Sequence, residues 1–341
     1  MFSLLSLINS KFNRVFYFLL WFILLLVAGL RYNVGTDYLN YERAYNNSDF
    51  WFSEIGFIWI SKVMKYLGFS SQLYFFAIAL LIQVLVFKSL KKYTENSRVF
   101  YLSIFFFITL YYFNHSMNTL RQFIAIGIFM LNVENIIKRN FLKYNFFFIV
   151  AFLFHTSSIV FYPLYFLCKM SNKVIHMPKI RNALLIISFA LMFVRFDGLI
   201  QNLVLKYASD YTYVYYATWG ADSYIAYDLS WQMMLVLVSK FILSLWIINN
   251  INVFTNTRTQ KVIFNIFFIG LILTFPLYPM LIFRRFLFYI NIFEIIVYAI
   301  FAHANKRAFF LFVIYAIIFF IVNLLSGFSA PLPYTIRIFG N

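Results

Sequence analysis

The chain has 341 residues, of which 63% are hydrophobic and 11% are charged, and its mean hydropathy is +0.81. A soluble domain carries about 25% charged residues, so a water-soluble globular fold is excluded. The formal net charge of +17 does not indicate a nucleic-acid-binding protein. Most of the cations lie in short loops between apolar runs, as the positive-inside rule describes for membrane proteins.

Apolar runs of about 16–22 residues recur along the chain and are long enough to cross the hydrocarbon core as helices. The first, residues 15–30, ends without a small-residue cleavage site, so we predict a retained helix whose N-terminus lies inside. Residues 55–67 form an amphipathic stretch that is too short to span and is expected at the outer interface. Further spans are predicted at residues 70–90, 99–113 and 118–137.

Residues 144–167 are an apolar stretch between two cationic loops, and they are too few for two full spans. If both loops lie inside, the chain must turn within the membrane, with His155, Thr156 and Ser157 near the turn. Irregular backbone at that depth is tolerated only against protein or a water-filled cavity. The alternative is a single span that puts the second cationic loop outside, and we favour the hairpin.

The remaining spans are predicted at residues 182–196, 230–250, 262–275, 280–301 and 308–324. The sequence therefore predicts an all-α, polytopic integral membrane protein with about eleven transmembrane segments, counting the hairpin as two. We expect a single membrane domain over residues 1–341, with extracytoplasmic loops at 31–69 and 197–231. Most acids fall on the outer side, which favours acid–base chemistry there: Asp37, Glu42, Asp49, Glu54, Asp197, Asp210, Asp222 and Asp228.

Four arginines lie at the outer ends of predicted spans: Arg31, Arg121, Arg284 and Arg285. A guanidinium close to hydrocarbon costs free energy, so we expect an anionic partner. Arg121 also opens a helix, whose free N–H groups and dipole favour an anion. The structural alternatives are a snorkelling side chain for Arg121 and pairing with an acid for Arg284 or Arg285.

Two residues are candidates for a general base. Asp37 follows the turn glycine Gly35 close to Arg31 and is the first choice, and His155 is the second. A lone histidine in an apolar segment has a structural role as its alternative.

Aromatic residues accompany these acids on the predicted outer side. Tyr38, Tyr41 and Trp219 offer ring faces that suit sugars, and an interfacial aromatic belt is the alternative.

Several catalytic signatures are absent from the sequence. It contains no P-loop, no H-E-x-x-H, no G-x-G-x-x-G and no Asp-x-Asp pair. Its one cysteine, Cys168, excludes an intrachain disulfide. Without a nucleotide-binding segment, an activated substrate must come from within the membrane.

The order of several short motifs resembles that of the EpsG/Wzy-type family of exopolysaccharide, capsule and O-antigen repeat-unit polymerases. These motifs are Arg31 with Gly35-Thr36-Asp37-Tyr38 and Tyr41, Glu54-Ile55-Gly56-Phe57, Asn118 with Arg121, Gln122 and Ala125, Phe154-His155-Thr156-Ser157, and Arg284/Arg285 with Phe286 and Tyr289.

The resemblance implies a GT-C-like fold with an outer-face cavity, in a bacterial inner membrane. The reaction it implies passes a growing glycan from undecaprenyl diphosphate to a lipid-linked repeat unit. We expect no cofactor and assign no residue to a metal site. The expected partners are undecaprenyl-diphosphate-linked oligosaccharides, membrane lipids, a chain-length regulator and a flippase, and no nucleic acid.

The resemblance also implies roles for individual residues. The diphosphate would be bound by Arg31, Arg121, Arg284 and Arg285, and the proton would be taken by Asp37 or His155. The glycan would contact Tyr38, Tyr41, Glu54 and Gln122, and the aromatic composition of the predicted outer loop adds Trp219 to the expected glycan contacts.

Two other function classes stay open at this point. A membrane O-acyltransferase acting on surface glycans would be expected to carry a histidine in an early helix, and the first histidine here is His115. A lipid-linked oligosaccharide flippase should line a central cavity with charges at mid-membrane rather than gather them at one face.

Overall fold

The computed structural model of the chain describes residues 13–48, 52–168, 176–199, 202, 206, 229–327 and 330–337. Across these residues the regular secondary structure is helical, with one isolated antiparallel bridge between Arg31 and Ile336. The all-α prediction is therefore confirmed. Trp219 and most of the predicted outer loop 197–231 lie outside the described residues.

In chain order the helices are α1 (Asn13–Gly29), α2 (Tyr38–Asn47), α3 (Ile55–Tyr66), α4 (Ser71–Tyr93), α5 (Ser97–Thr109), α6 (Tyr112–Asn118), α7 (Leu120–Ile137), α8 (Phe141–Phe154), α9 (Pro178–Leu191), α10 (Trp231–Asn249), α11 (Arg258–Leu277), α12 (Leu281–Asn291), α13 (Glu294–Ala304) and α14 (Lys306–Leu325). Short 3₁₀ helices cover Thr156–Phe161 and Ile251–Phe254. The chain forms two compact units, Met1–Tyr162 with Glu294–Asn341, and Pro163–Phe293. A single domain over residues 1–341 stays a prediction.

Five helices of the described residues are long and apolar enough to cross a membrane: α4, α7, α10, α11 and α14. The number rises to seven if the interrupted pairs α5/α6 and α12/α13 each count as one span. Shorter apolar helices cover Val15–Gly29, Phe141–Phe154 and Thr156–Cys168. These helices indicate a membrane protein, while the total of eleven segments, the outer cavity and the GT-C-like architecture stay predictions.

Helix α4 illustrates why these segments form. The Ser70 hydroxyl accepts a hydrogen bond from the backbone N–H of Leu73 and caps the first turn. Lys91 and Lys92 lie in the last turn, where cations complement the helix dipole. The apolar residues between these ends include a fully buried stripe that packs against α1 and α7.

The first unit contains the turn of the predicted hairpin. Helix α8 ends at Phe154, His155 adopts an extended conformation, and the 3₁₀ helix then runs back along α8. The Tyr144 hydroxyl, near the start of α8, donates a hydrogen bond of 2.7 Å to the Phe161 carbonyl oxygen. The predicted turn at His155 is therefore confirmed, and its position within a membrane stays a prediction.

Two spans predicted as continuous, residues 99–113 and 280–301, are interrupted. Residues 99–113 were expected to form a single helix, but α5 ends at Thr109 and the axis bends by 56° before α6. Tyr111 adopts a left-handed conformation (φ 71°) at the bend. The next residue, Tyr112, donates a buried hydrogen bond of 2.8 Å from its hydroxyl to Glu294 Oε1, at the start of α13.

In the second unit α9 and α12 pack on α11, and α10 packs on α9. The Ser188 hydroxyl of α9 donates to the Ile272 carbonyl oxygen of α11 at 2.7 Å. The Thr274 hydroxyl of α11 contacts Asn291 Oδ1 of α12 at 3.0 Å. Interhelical polar contacts of this kind, together with close packing, are what hold helices together in an apolar environment.

Candidate functional site

The site is built where α3 meets the end of α8 in the first unit. Gly56, in the first turn of α3, lies so close to Leu153 of α8 that an added Cβ would stand 2.9 Å from the Leu153 carbonyl oxygen. Only glycine allows this approach, which brings Glu54, just before α3, next to His155, just after α8.

Glu54 is the centre of the site, and its side chain is only 5% exposed. One carboxylate oxygen, Oε1, lies 2.7 Å from His155 Nδ1, and the other, Oε2, accepts a hydrogen bond from the Arg121 guanidinium. A buried carboxylate is costly unless it is paired and hydrogen-bonded, and these two partners meet that requirement. We call Glu54, Arg121, His155 and Tyr41 the Glu54 cluster.

Arg121 is held by further contacts of its guanidinium. Its Nε donates to the Tyr41 hydroxyl at 3.3 Å, and its Cζ lies 4.5 Å from the centroid of the Phe52 ring. The Arg121 side chain stays 12% exposed and that of His155 22%. Aromatic faces attract a guanidinium, so α2 and the segment before α3 both help to fix its position.

The electrostatics of the cluster keep Glu54 ionised. Burial opposes ionisation of this carboxyl, but the hydrogen bond from His155 and the charge of Arg121 outweigh burial and lower its pKa to about 2. A carboxylate accepts hydrogen bonds only, so the hydrogen on the contacting His155 nitrogen is at Nδ1. In the neutral imidazole the basic lone pair is then on Nε2.

Asp37 lies within electrostatic range of the same cluster. Burial raises the pKa of the Tyr41 hydroxyl, Arg121 opposes this rise, and the charge of Asp37 adds to it. Asp37 itself precedes α2 and is half-buried. Its role as a base stays a prediction.

Arg31 has a different environment from Arg121. Its side chain is fully buried, and its Nη1 and Nη2 donate to the backbone carbonyl oxygens of Ala28 at 2.7 Å and Met117 at 2.6 Å, respectively. Burial lowers the pKa of the guanidinium to about 10, so Arg31 remains a cation at neutral pH. Its predicted contact with a diphosphate stays a prediction, and the contacts present tie α1 to α6.

The predicted glycan-binding residues of the first unit are packed inside the protein. The Tyr38 ring stacks on Phe75 with centroids 4.3 Å apart, and Tyr41 and Gln122 are both buried. Glu54, predicted to contact the glycan, is engaged with Arg121 and His155 instead. Glycan contacts of these residues stay predictions.

Arg284 and Arg285 belong to the second unit. Arg284 Nε donates to the Tyr278 carbonyl oxygen at 2.7 Å, and its Cζ lies 5.2 Å from the centroid of the Tyr278 ring. Arg285 is exposed. Binding of a diphosphate by either residue stays a prediction.

Two features of the described residues were missed in the sequence. Lys240 lies in the middle of the apolar helix α10 and is 8% exposed, and a lysine in a 19-residue apolar run was the available signal. The C-terminal segment pairs with the loop after α1, where the Tyr32 N–H donates to the Thr335 carbonyl oxygen at 2.9 Å and Arg337 bonds Glu42 at 3.0 Å. No sequence pattern indicated that the C-terminal segment pairs with the loop after α1.

Comparison with protein families decides the identity of the chain. The model of one family, described as the EpsG family, matches residues 14–336. The chain belongs to the EpsG family. Membership of the EpsG family indicates a glycosyltransferase-like polysaccharide polymerase in general, and the resemblance found from the short motifs is confirmed. Curated proteins and solved structures give no significant match.

Proposed function

We propose that this EpsG-family protein is a polysaccharide polymerase that transfers a growing glycan from undecaprenyl diphosphate to a lipid-linked repeat unit. The observation that carries the proposal is the Glu54 cluster. An arginine, a carboxylate and a histidine are joined in one largely buried network. Glu54 and Arg121 lie at positions that the predicted topology assigns to the outer face, and His155 lies at the predicted turn within the membrane.

Arg121 is proposed to bind the diphosphate of the donor. Guanidinium groups bind phosphate oxygens through paired, charge-assisted hydrogen bonds. Negative charge develops on the diphosphate as it leaves, so a fixed guanidinium stabilises the transition state more than the ground state. Diphosphate binding by Arg284 or Arg285 remains a separate prediction.

His155 is proposed as the general base. The acceptor hydroxyl oxygen forms a bond to the anomeric carbon of the donor sugar while the bond from that carbon to the diphosphate breaks. The hydroxyl proton passes to His155 Nε2, and undecaprenyl diphosphate leaves with the electron pair. Glu54, with its low pKa, is a poor proton acceptor, and Asp37 is the alternative base.

The proposal places the reaction on the outer face of a bacterial inner membrane. The support is the distribution of charge along the sequence, with cations in the predicted inner loops and acids in the predicted outer ones. The donor, the acceptor and a chain-length regulator would all be reached from that side, and the aromatic loop 197–231 would contact sugar rings.

The test is reconstitution of the purified protein in liposomes with lipid-linked oligosaccharides extracted from producing cells. We expect chain lengthening, resolved as a ladder on a gel. Acyl transfer to the glycan, or transport without lengthening, would contradict the proposal in favour of the two other function classes.

The base is tested in the same assay with His155→Gln. We expect chain lengthening to fall by about 10²–10⁴-fold, because proton transfer by a positioned side chain contributes about that much. Thermal unfolding in detergent checks that the variant is folded. Normal lengthening by a folded His155→Gln would exclude His155 and leave Asp37, tested by Asp37→Asn.

A further inference from the structure

The Glu54 carboxylate is divided between two partners. Its Oε1 contacts the His155 imidazole at 2.7 Å while its Oε2 contacts the Arg121 guanidinium, and its side chain is only 5% exposed. The side chain that would hold the donor's anion and the side chain that would take the acceptor's proton are thus joined through a single carboxylate.

This arrangement has a consequence for any incoming anion. A carboxylate and a phosphate group present the same kind of oxygen pair to a guanidinium. Arg121 is confined by the Tyr41 hydroxyl at its Nε and by the Phe52 ring 4.5 Å from its Cζ. A phosphate oxygen that binds Nη1 of the guanidinium therefore competes with Glu54 Oε2 for the same N–H group.

We infer that Glu54 is paired with Arg121 in the absence of donor and that the donor's diphosphate replaces Glu54 at the guanidinium. Glu54 then acts as a positioning residue for His155 alone. The inference rests on the proposed function and adds a regulatory step to it. Once Arg121 is bound to the diphosphate, the Glu54 carboxylate interacts with the His155 imidazole without a competing cation. An adjacent carboxylate stabilises the imidazolium that forms when the base takes a proton.

The exchange links donor binding to activation of the base. Before the donor arrives, the guanidinium neutralises part of the charge of Glu54, and His155 is a weaker base. After the donor arrives, the carboxylate is oriented by His155 only. A hydroxyl, water included, would meet an activated histidine only when a diphosphate-linked donor is in place.

The test measures binding of farnesyl diphosphate, a soluble isoprenoid diphosphate without sugar, to the full-length protein in detergent. Glu54→Gln keeps the shape of the side chain and an acceptor for His155 but removes the competing charge. Glu54→Asp keeps the charge but is shorter by one methylene, which weakens its reach to Arg121. We expect both variants to bind the probe about ten-fold more tightly than the unchanged protein, since one charged hydrogen bond no longer has to be exchanged.

A matched control separates this exchange from a general effect of charge. Glu42 is another carboxylate of the same unit, bound to Arg337 and Ser71 rather than to Arg121. Glu42→Gln should leave the affinity within about two-fold, because Glu42 is paired with Arg337 and does not compete for the Arg121 guanidinium. Equal tightening by Glu42→Gln, or unchanged affinity in Glu54→Asp, would overturn the inference. If Glu54→Gln does not fold, Glu54→Asp decides alone.

Turnover gives an independent readout. Glu54→Gln should bind the lipid-linked donor more tightly and yet lengthen chains about ten-fold more slowly, since His155 loses its charged partner. A merely structural role would weaken binding and turnover together, and that result would also overturn the inference. If the unchanged protein fails to bind farnesyl diphosphate, or Arg121→Gln binds it equally well, the proposed function itself fails.

Discussion

Arg31 and Arg121 both lie near the ends of apolar helices in the same unit, and the two sites differ in what holds the guanidinium. Arg31 is fully buried and donates to the backbone carbonyls of Ala28 and Met117. Arg121 stays partly exposed and is paired with the Glu54 carboxylate. The backbone carbonyl oxygens that contact Arg31 are fixed in position by the helices that carry them. The Glu54 side chain that contacts Arg121 can move, so a substrate anion can replace it.

The difference teaches that an arginine near hydrocarbon is not by itself evidence of a ligand site. Backbone oxygens and aromatic ring faces can offset the free-energy cost of a guanidinium in that position. The rings of Tyr38 and Phe75 lie close to the Arg31 guanidinium in this way. We therefore propose that Arg31 serves mainly stability and Arg121 serves function, and the following experiments test that division.

The largest expected effect is on the stability of Arg31→Met. The substitution removes two charged donors and leaves the Ala28 and Met117 carbonyls buried without them, so we expect a loss of about 3 kcal/mol or more. Thermal unfolding in detergent, with the yield of monodisperse protein, measures it. An Arg31→Met protein that is as stable as the unchanged one, but inactive, would reverse the division.

Arg121→Lys is the matched substitution at the other arginine. Lysine keeps the pairing with Glu54 but loses the planar fork that binds phosphate through two hydrogen bonds. We expect thermal unfolding to change little and chain lengthening to fall about ten-fold or more. Normal lengthening by Arg121→Lys would remove Arg121 from the proposed diphosphate site.

Gly56→Ala should have an intermediate effect. Its new Cβ would meet the Leu153 carbonyl oxygen at 2.9 Å, so α3 must move away from α8 and the contact between Glu54 and His155 lengthens. We expect chain lengthening to fall several-fold, with a loss of stability of about 1–3 kcal/mol from the overpacking. Gly198→Ala, where an added Cβ meets open space, is the control and should leave both unchanged.

The smallest effect near neutral pH is expected from the titration of Glu54. Its folded-state pKa of about 2 lies below the ordinary value of 4.5. Its stabilising contribution is therefore fully present above about pH 4.5 and is lost as the pH falls from there toward 2. The stability of the unchanged protein to thermal unfolding should fall over this acid window relative to that of Glu54→Gln. A stability difference that does not change between pH 4.5 and 2 would place the pKa of Glu54 elsewhere.

Much of the fold could be predicted from hydropathy. Apolar length located α4, α10 and α14 within a few residues, and the shortage of apolar residues between two cationic loops predicted the turn at His155. The break between α5 and α6 could not be predicted from the sequence. The residue with a left-handed conformation there is Tyr111, and no glycine or proline indicates a break at this point. Helix α2 lay in a segment interpreted as a loop, although its buried Tyr38, Tyr41 and Tyr45 are spaced as on one helix face.

The candidate site was predicted only in part. Arg121 and His155 were identified from their unusual positions in apolar segments. Glu54 lies 67 residues from Arg121 and 101 from His155 in the chain, so its place between them depends on the packing of α3 on α8. The one sequence feature related to that packing is Gly56. Its close approach to Leu153 is recognised only in the structure.

The most direct test of the central claim is an experimental structure of the protein with undecaprenyl diphosphate bound. The account predicts a phosphate group within about 3 Å of the Arg121 guanidinium, a normal hydrogen-bond distance, with Glu54 withdrawn from that guanidinium and still bonded to His155 Nδ1. A diphosphate bound elsewhere, with the contact between Glu54 and Arg121 unchanged, would contradict it.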